Sequence, residues 1–320
     1  MNKELEIWQF AARKLNRNES LMLLVVAESS GSSPGRQGFK MAVAEDEIAG
    51  SIGGGVMEVR LVEKAKEKFK KIKGKSEAKI IEQVHRGKSL SSSGMICSGK
   101  QTVIFFRLDL LHLKTVQKIV RALKAHQPKV LQITPNNFQL VENQLEAFKF
   151  ERRGENDFLF AEKLGFKNKL FIIGGGHCAL ALSELASKMD FYICLFDDRP
   201  NLNTLAKNQF VHEKHIVESY EKIDEFILSG ANHFVVVMTL GYQSDETVIR
   251  RLLEKKFKYF GVLGSKAKMT TLLKNLRKEG FPSEKINNIH APIGLPINSQ
   301  TPEEIAVSIA AEIIAVKNKV

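Results

Sequence analysis

At 320 residues with 43% hydrophobic side chains, the chain is long enough for two domains with real cores. Its apolar runs, such as Leu21 to Ala27 and Phe234 to Met238, stop at strand length, short of the ~20 residues a bilayer-spanning helix needs. The net charge of +12 comes from lysines scattered over helix faces, with no aromatic-interleaved basic strip, so nucleic acid is not the expected partner.

The scattered lysines leave two readings: a solvated basic surface, or attraction to an anionic small molecule or acidic protein. Met1 to Glu6 has no signal-peptide pattern, and a cytoplasmic protein without membrane contact is expected. Cys97, Cys178 and Cys194 have neither the number nor the spacing of a disulfide framework or zinc site, and no metal ligand set is expected.

Lys3 to Leu15 has helical spacing, and Leu21 to Ala27 is a buried strand. A loop rich in Ser, Gly and Pro follows, with Ser32 and Ser33 at its centre. Strands bracket it closely, which suits a loop approaching a ligand; Ser32 and Ser33 are read either there or as stabilising their own loop. Gly53, Gly54 and Gly55 then open a helix from Val56 to Phe69. Backbone N–H groups at such a turn can face an anion. Glu58, in the first helical turn, is read either as part of that site or as a partner of the helix dipole.

Lys79 to Val84 and Gln101 to Leu108 are strands. Cys97, at the loop–strand junction before the second, has the placing of an exposed, reactive thiol. His112 to Ala125 is a helix, and four short strands follow within Val130 to Ala161. The first domain is placed at 1–165 and the second at 166–320.

The second domain opens on a strand ending in Ile173, then Gly174, Gly175, Gly176 and His177, then a helix from Ala179. A further strand, Phe191 to Phe196, ends on Asp197, Asp198 and Arg199. This is the order of a dinucleotide-binding βαβ unit, with Ala179 in the small third position. His177 is read as a ligand contact or as a packed helix-start residue. Strands at Phe234 to Thr239 and Tyr259 to Leu263 alternate with helices at Tyr220 to Leu228, Thr247 to Lys255 and Lys268 to Lys278. Such alternation predicts a parallel sheet whose strand ends bring the glycine turn, Asp197 to Arg199, Thr239, Gly264 and Ser265 to one edge. Thr301, Pro302 and Glu304 start a last helix, whose Ile305, Ile309 and Ile313 are core or dimer surface.

Several stretches together resemble the XdhC/CoxI family, accessory factors of xanthine dehydrogenase and related molybdenum hydroxylases. They are Gly31-Ser32-Ser33-Pro34, Gly50 to Gly55, Gly174 to His177, Asp197 to Pro200, Gly261 to Ser265, Ile289 to Leu295 and Glu303 to Val307. The resemblance implies an α/β protein with an N-terminal XdhC/CoxI-type domain and a C-terminal Rossmann-like parallel-sheet domain. It implies binding of the molybdenum cofactor (molybdopterin), support of its sulfuration by a cysteine desulfurase, delivery to a molybdenum hydroxylase client, and a homodimer. Such a protein is an accessory factor rather than a catalyst, with Cys97 as its reactive group. The alternatives are an NAD(P)-dependent oxidoreductase, with Asp197 on a ribose hydroxyl and Arg199 on a 2′-phosphate, and a nucleotide-sensing scaffold. Family residues are replaced here by Val56 after the triple glycine, by Ser98 after Cys97 and by Leu240 after Thr239.

Overall fold

The computed structural model describes residues 3–71, 78–85, 99–142, 145, 147–154 and 157–319, and the chain divides into two compact units, Met1–Gly165 and Phe166–Val320. Cys97 lies outside the described residues.

The first unit has two antiparallel sheets. Strands β1 (Leu21–Gly31), β2 (Lys40–Val43), β3 (Ile48–Gly50), β4 (Lys79–His85) and β5 (Gly99–Leu108) form one, in the order β3-β2-β1-β5-β4. Strands β6 (Val130–Thr134), β7 (Asn137–Val141), β8 (Phe148–Arg152) and β9 (Phe158–Lys163) form the other, in the order β7-β6-β9-β8. β1 is apolar at every position from Leu21 to Ala27 because both its faces are covered. Leu21, Leu23 and Val25 enter one core, with residues of helices α1 (Lys3–Asn16) and α3 (Leu113–Lys124). Met22, Leu24 and Val26 enter another, with Leu61 and Ala65 of α2 (Gly55–Lys71). This split is the two-residue period of a strand. Lys40 is buried where three segments meet, its Nζ 2.9 Å from Glu4 Oε1 and 2.6 Å from Glu162 Oε2.

The second unit is a parallel sheet of β10 (Asn168–Ile173), β11 (Phe191–Asp197), β12 (Glu213–Ile216), β13 (Gly230–Val237) and β14 (Phe257–Val262), in the order β12-β11-β10-β13-β14. Helices cover both faces. Leu170 and Ile172 pack with α4 (His177–Ser187) and α10 (Pro302–Lys317). Phe171 and Ile173 lie in the core built with α7 (Tyr242–Leu252) and α8 (Lys266–Lys278). Shorter helices are α5 (Asn203–Lys207), α6 (Ile223–Phe226) and α9 (Ser283–Asn287). The strand order runs outward in both directions from β10, so the sheet reverses between β10 and β13, where open α/β sheets form a crevice.

Three expectations shift. The helix expected over Tyr220 to Leu228 is a single 3-10 turn followed by α6. The helix expected from Thr247 begins at Tyr242. β12 has no counterpart among the expected strands, because a short edge strand of sequence Glu-Lys-His-Ile buries too little to show a pattern. Ile309 and Ile313 are fully buried within the unit, so of the two readings for α10 these residues take the core.

Candidate functional site

The site is built at the carboxyl ends of β10, β11, β13 and β14. Gly174 follows β10 with φ +104°, and a Cβ there would stand 2.2 Å from the carbonyl oxygen of Met238. Only glycine lets the turn pass this close to the end of β13. Gly176 precedes α4 as its N-cap, with no side-chain capping bond and open space where a Cβ would project. His177 is exposed beside it, and Ala179 is buried in the helix–sheet packing. The first turn of α4 therefore presents backbone N–H groups at the reversal point of the sheet, where the helix dipole favours an anion.

The middle of the glycine turn is engaged differently from the expectation. Gly175 N–H donates to Asp197 Oδ2 at 2.6 Å, and the Gly175 carbonyl accepts from Thr204 Oγ1 at 2.5 Å. Asp197 is wholly buried at the end of β11. Its Oδ1 accepts from the backbone N–H and Nε of Arg199 at 2.8 and 2.9 Å, and its Oδ2 from Arg199 Nη2 at 2.8 Å. Burial pushes this carboxyl up, but the guanidinium and the two backbone N–H groups outweigh it and hold it below the usual range. An acid expected to face a ligand is instead the internal anion that locks the turn to β11. Asp198 is exposed, and Arg199 keeps about a third of its side chain in solvent (32%).

Further along the edge, Thr239 donates to Asp245 Oδ1 from Oγ1 at 2.6 Å and from its backbone N–H at 3.1 Å. Asp245 is buried in the first turn of α7, and burial pushes its carboxyl up despite those two bonds. Lys268 Nζ of α8 stands 3.9 Å from Asp245 Oδ2, an ion pair too long for a hydrogen bond. Thr239 is thus occupied within the protein. Gly241, the N-cap of α7, resembles Gly176 in having no side-chain cap and open space at its Cβ. Ser265 caps α8, accepting from Lys268 N–H at 3.4 Å, and Gly264 leaves room for Met269. The sheet therefore brings Gly174 to His177, Asp197 to Arg199, Thr239, Gly264 and Ser265 to one edge. Gly241, Asp245 and Lys268 share that edge and were missed; an acid four residues after a glycine was the available signal for a helix start there.

The glycine turn of the first unit is likewise filled by the chain itself. Gly53, Gly54 and Gly55 have φ of +129°, +75° and +73°. Glu58 Oε2 accepts from Ser51 Oγ at 2.7 Å and from the N–H groups of Ile52 and Gly54, both at 2.9 Å. Burial pushes the Glu58 carboxyl up, and these donors together bring it below its ordinary value. Of the readings for Glu58, the structure adds a third: it closes the turn as an intramolecular anion. Ser33 is buried and donates to Gln101 Oε1 at 2.9 Å, which favours the loop-stabilising reading, while Ser32 is exposed. In each unit a carboxylate of the chain accepts from part of the turn, Asp197 from Gly175 N–H and Glu58 from the N–H groups of Ile52 and Gly54. What stays open at the sheet edge is the first turn of α4 and of α7.

The two described cysteines are not activated thiols. Burial, with the charge of Glu303, pushes Cys178 up, and burial pushes Cys194 up to about 12. Among the described residues no group of three or more His, Cys, Asp or Glu side chains is placed to hold a metal ion, and no helix is long and apolar enough to cross a membrane.

Residues 170–313 match the XdhC Rossmann domain, and residues 15–82 match the XdhC and CoxI family. The chain belongs to the XdhC/CoxI family. As that assignment requires, it is an α/β protein whose N-terminal part carries antiparallel sheets and whose C-terminal part is a five-stranded parallel Rossmann-like sheet. It is 24% identical over 315 residues to "Uncharacterized protein YqeB" of Escherichia coli K12, covering 98% of this chain and 47% of the relative. It is 31% identical over 166 residues to a probable xanthine dehydrogenase subunit from Bacillus subtilis, covering 51% of this chain and 47% of that relative. The chain spans about half the length of the curated relatives it matches. A crystal structure described as a xanthine dehydrogenase from Bacillus halodurans has the same fold, with a TM-score of 0.72 at 22% identity over 99% of this chain and 96% of that one.

Proposed function

We propose that this protein is an accessory factor of a xanthine dehydrogenase-type molybdenum hydroxylase, binding the molybdenum cofactor and supporting its sulfuration and insertion. Family membership supports the accessory role. The observation that carries the binding part is the pair of uncapped helix starts, Gly176 and Gly241, at the sheet edge beside Arg199 and Lys268.

The residues present fit the phosphate end of the cofactor. Backbone N–H groups of the first turn of α4 would hold the phosphate, and the Arg199 guanidinium would offset its charge. When bound, the cofactor would supply the metal and the labile sulfur that the client enzyme needs. For the sulfur end, the described thiols are poorly suited, since both stay protonated at neutral pH. We assign that role to Cys97, in keeping with its sequence setting. A cysteine desulfurase and the client hydroxylase are the partners this reading requires, with a homodimer and a cytoplasmic setting.

The oxidoreductase alternative asks Asp197 to accept a ribose hydroxyl. Four donors already converge on its two oxygens, which counts against that reading.

The test is anaerobic co-expression with the cofactor's biosynthetic pathway, followed by mass spectrometry of the purified native protein. A bound molybdopterin is expected, and a protein that never carries pterin overturns the reading. A Cys97→Ala variant is expected to retain cofactor but to fail in passing on active, sulfurated cofactor to the client. Normal delivery by that variant removes Cys97 from the mechanism.

A further inference from the structure

A carboxylate at the end of the second strand of a Rossmann unit is ordinarily the acceptor for a ribose diol. Here the position is Asp197, and its surroundings leave no room for that role. The side chain has no exposed surface, and its two oxygens accept four hydrogen bonds at 2.6 to 2.9 Å. A carboxylate has about four lone-pair sites, so the set is full. Two of the four bonds come from one guanidinium in the side-by-side geometry that a neutral diol cannot replace without loss of charge pairing.

The guanidinium itself is not exhausted. Of the five N–H donors of an arginine, Nε and one on Nη2 are engaged with Asp197, leaving about three. The Arg199 side chain is 32% exposed, and its nearest other anion is Asp198 Oδ1, 3.7 Å from Nε. Beside the glycine turn, then, stands a partly exposed cation with spare N–H donors, its plane fixed by a buried anion that also holds Gly175 N–H.

We propose that Arg199 is the specificity-determining residue of the Rossmann half: it shuts Asp197 away from a ribose diol and selects a ligand carrying a phosphate or comparable anionic group at that place. The proposal rests on the reading of this sheet edge as a ligand site. It excludes a nicotinamide dinucleotide held by its adenosine diol and admits phosphate-bearing ligands, the cofactor's phosphate among them.

The probes are NAD⁺ and NADP⁺, which differ only by the 2′-phosphate, titrated calorimetrically into the full chain. The wild type is expected to bind NADP⁺ at least tenfold more tightly than NAD⁺. Arg199→Ala, with circular dichroism matching the wild type, is expected to lose that preference and gain at least tenfold in NAD⁺ affinity as Asp197 is released. Equal affinities in the wild type overturn the proposal. So does a folded Arg199→Ala protein whose NAD⁺ affinity is unchanged, including the case where neither nucleotide binds either protein. If Arg199→Ala does not fold, Arg199→Gln carries the same test, since its amide can still donate to Asp197 without charge: a lost NADP⁺ preference supports the proposal and an unchanged one overturns it. Pterin recovered from a protein with no nucleotide discrimination sinks this proposal alone. Discrimination without pterin sinks only the accessory reading.

Discussion

Asp197 bears on stability as much as on recognition. Asp197→Asn keeps the shape but leaves Arg199 without its buried counter-charge, with Asp198 Oδ1 at 3.7 Å from Nε as the remaining nearby anion. Breaking a fully buried pair costs ~3–5 kcal/mol; with Arg199 one-third exposed we expect about 2–3 kcal/mol, read from urea denaturation. The folded carboxyl titrates below its unfolded value of ~4, so its stabilisation is present above that pH and fades as pH falls through the lower folded value. The wild type should accordingly lose more stability than Asp197→Asn between pH 5 and pH 2. The two outer glycines of the turn make a second comparison. Gly174→Ala drives a Cβ into the Met238 carbonyl and is expected to cost about 3 kcal/mol or more, whereas Gly176→Ala points into open space and should stay within ~1 kcal/mol. At this scale the glycine spacing and the acid at the strand end were legible. The identity of the acid's partner was not, because Arg199 two residues away reads equally as a ligand cation or as a lock. The same holds for Glu58, whose position in a first helical turn does not reveal that it bends back onto Ile52 and Gly54.

Helices and strands whose pattern matches their burial were readable, and those without a pattern were not. β1 reads as a strand because seven successive apolar residues serve two cores, and α10 because its cap and its isoleucines agree. Thr301 Oγ1 accepts from Glu304 N–H at 3.2 Å while Glu304 Oε2 accepts from Thr301 N–H at 3.1 Å. Thr301→Ala should cost about 1 kcal/mol, measured as a lowered melting temperature. β12 escapes a sequence reading, and the helix expected over Tyr220 to Leu228 shrinks to a 3-10 turn and α6, because each is short and half-polar with too little periodicity of its own. The start of α2 is a different case, an element pinned by one side chain. Glu58→Gln removes the charge from three hydrogen bonds, and about 1–2 kcal/mol should go with it. Hydrogen exchange at the Ile52 and Gly54 amides should quicken in that variant, while exchange in β1 should change only by the global loss of stability.

The whole molecule is two units, each with its own apolar interior. The second has a core on either face of its parallel sheet, drawn entirely from residues after 166. A chain of residues 166–320 expressed alone is therefore expected to unfold as one cooperative transition in urea; a broad, non-cooperative loss of signal would show that it depends on the first half. The parallel sheet and its common edge were legible, since alternating strands and helices admit little else. That a carboxylate of the chain accepts from each glycine turn was not, because it depends on side-chain direction rather than on order along the chain.

Lys40 has a consequence for how the first unit is made. Its ammonium is satisfied by Glu4, which leaves the ribosome early, and by Glu162, which leaves it 122 residues after Lys40. β2 itself can pair with β1 at once, but the lysine it carries inward has only Glu4 of its two carboxylate partners until β9 emerges. Synthesis at ~5–20 residues per second makes that interval several seconds or longer, during which the cation is hydrated or paired with Glu4 alone. The second carboxylate of the Lys40 site is thus supplied last, by a strand of the other sheet.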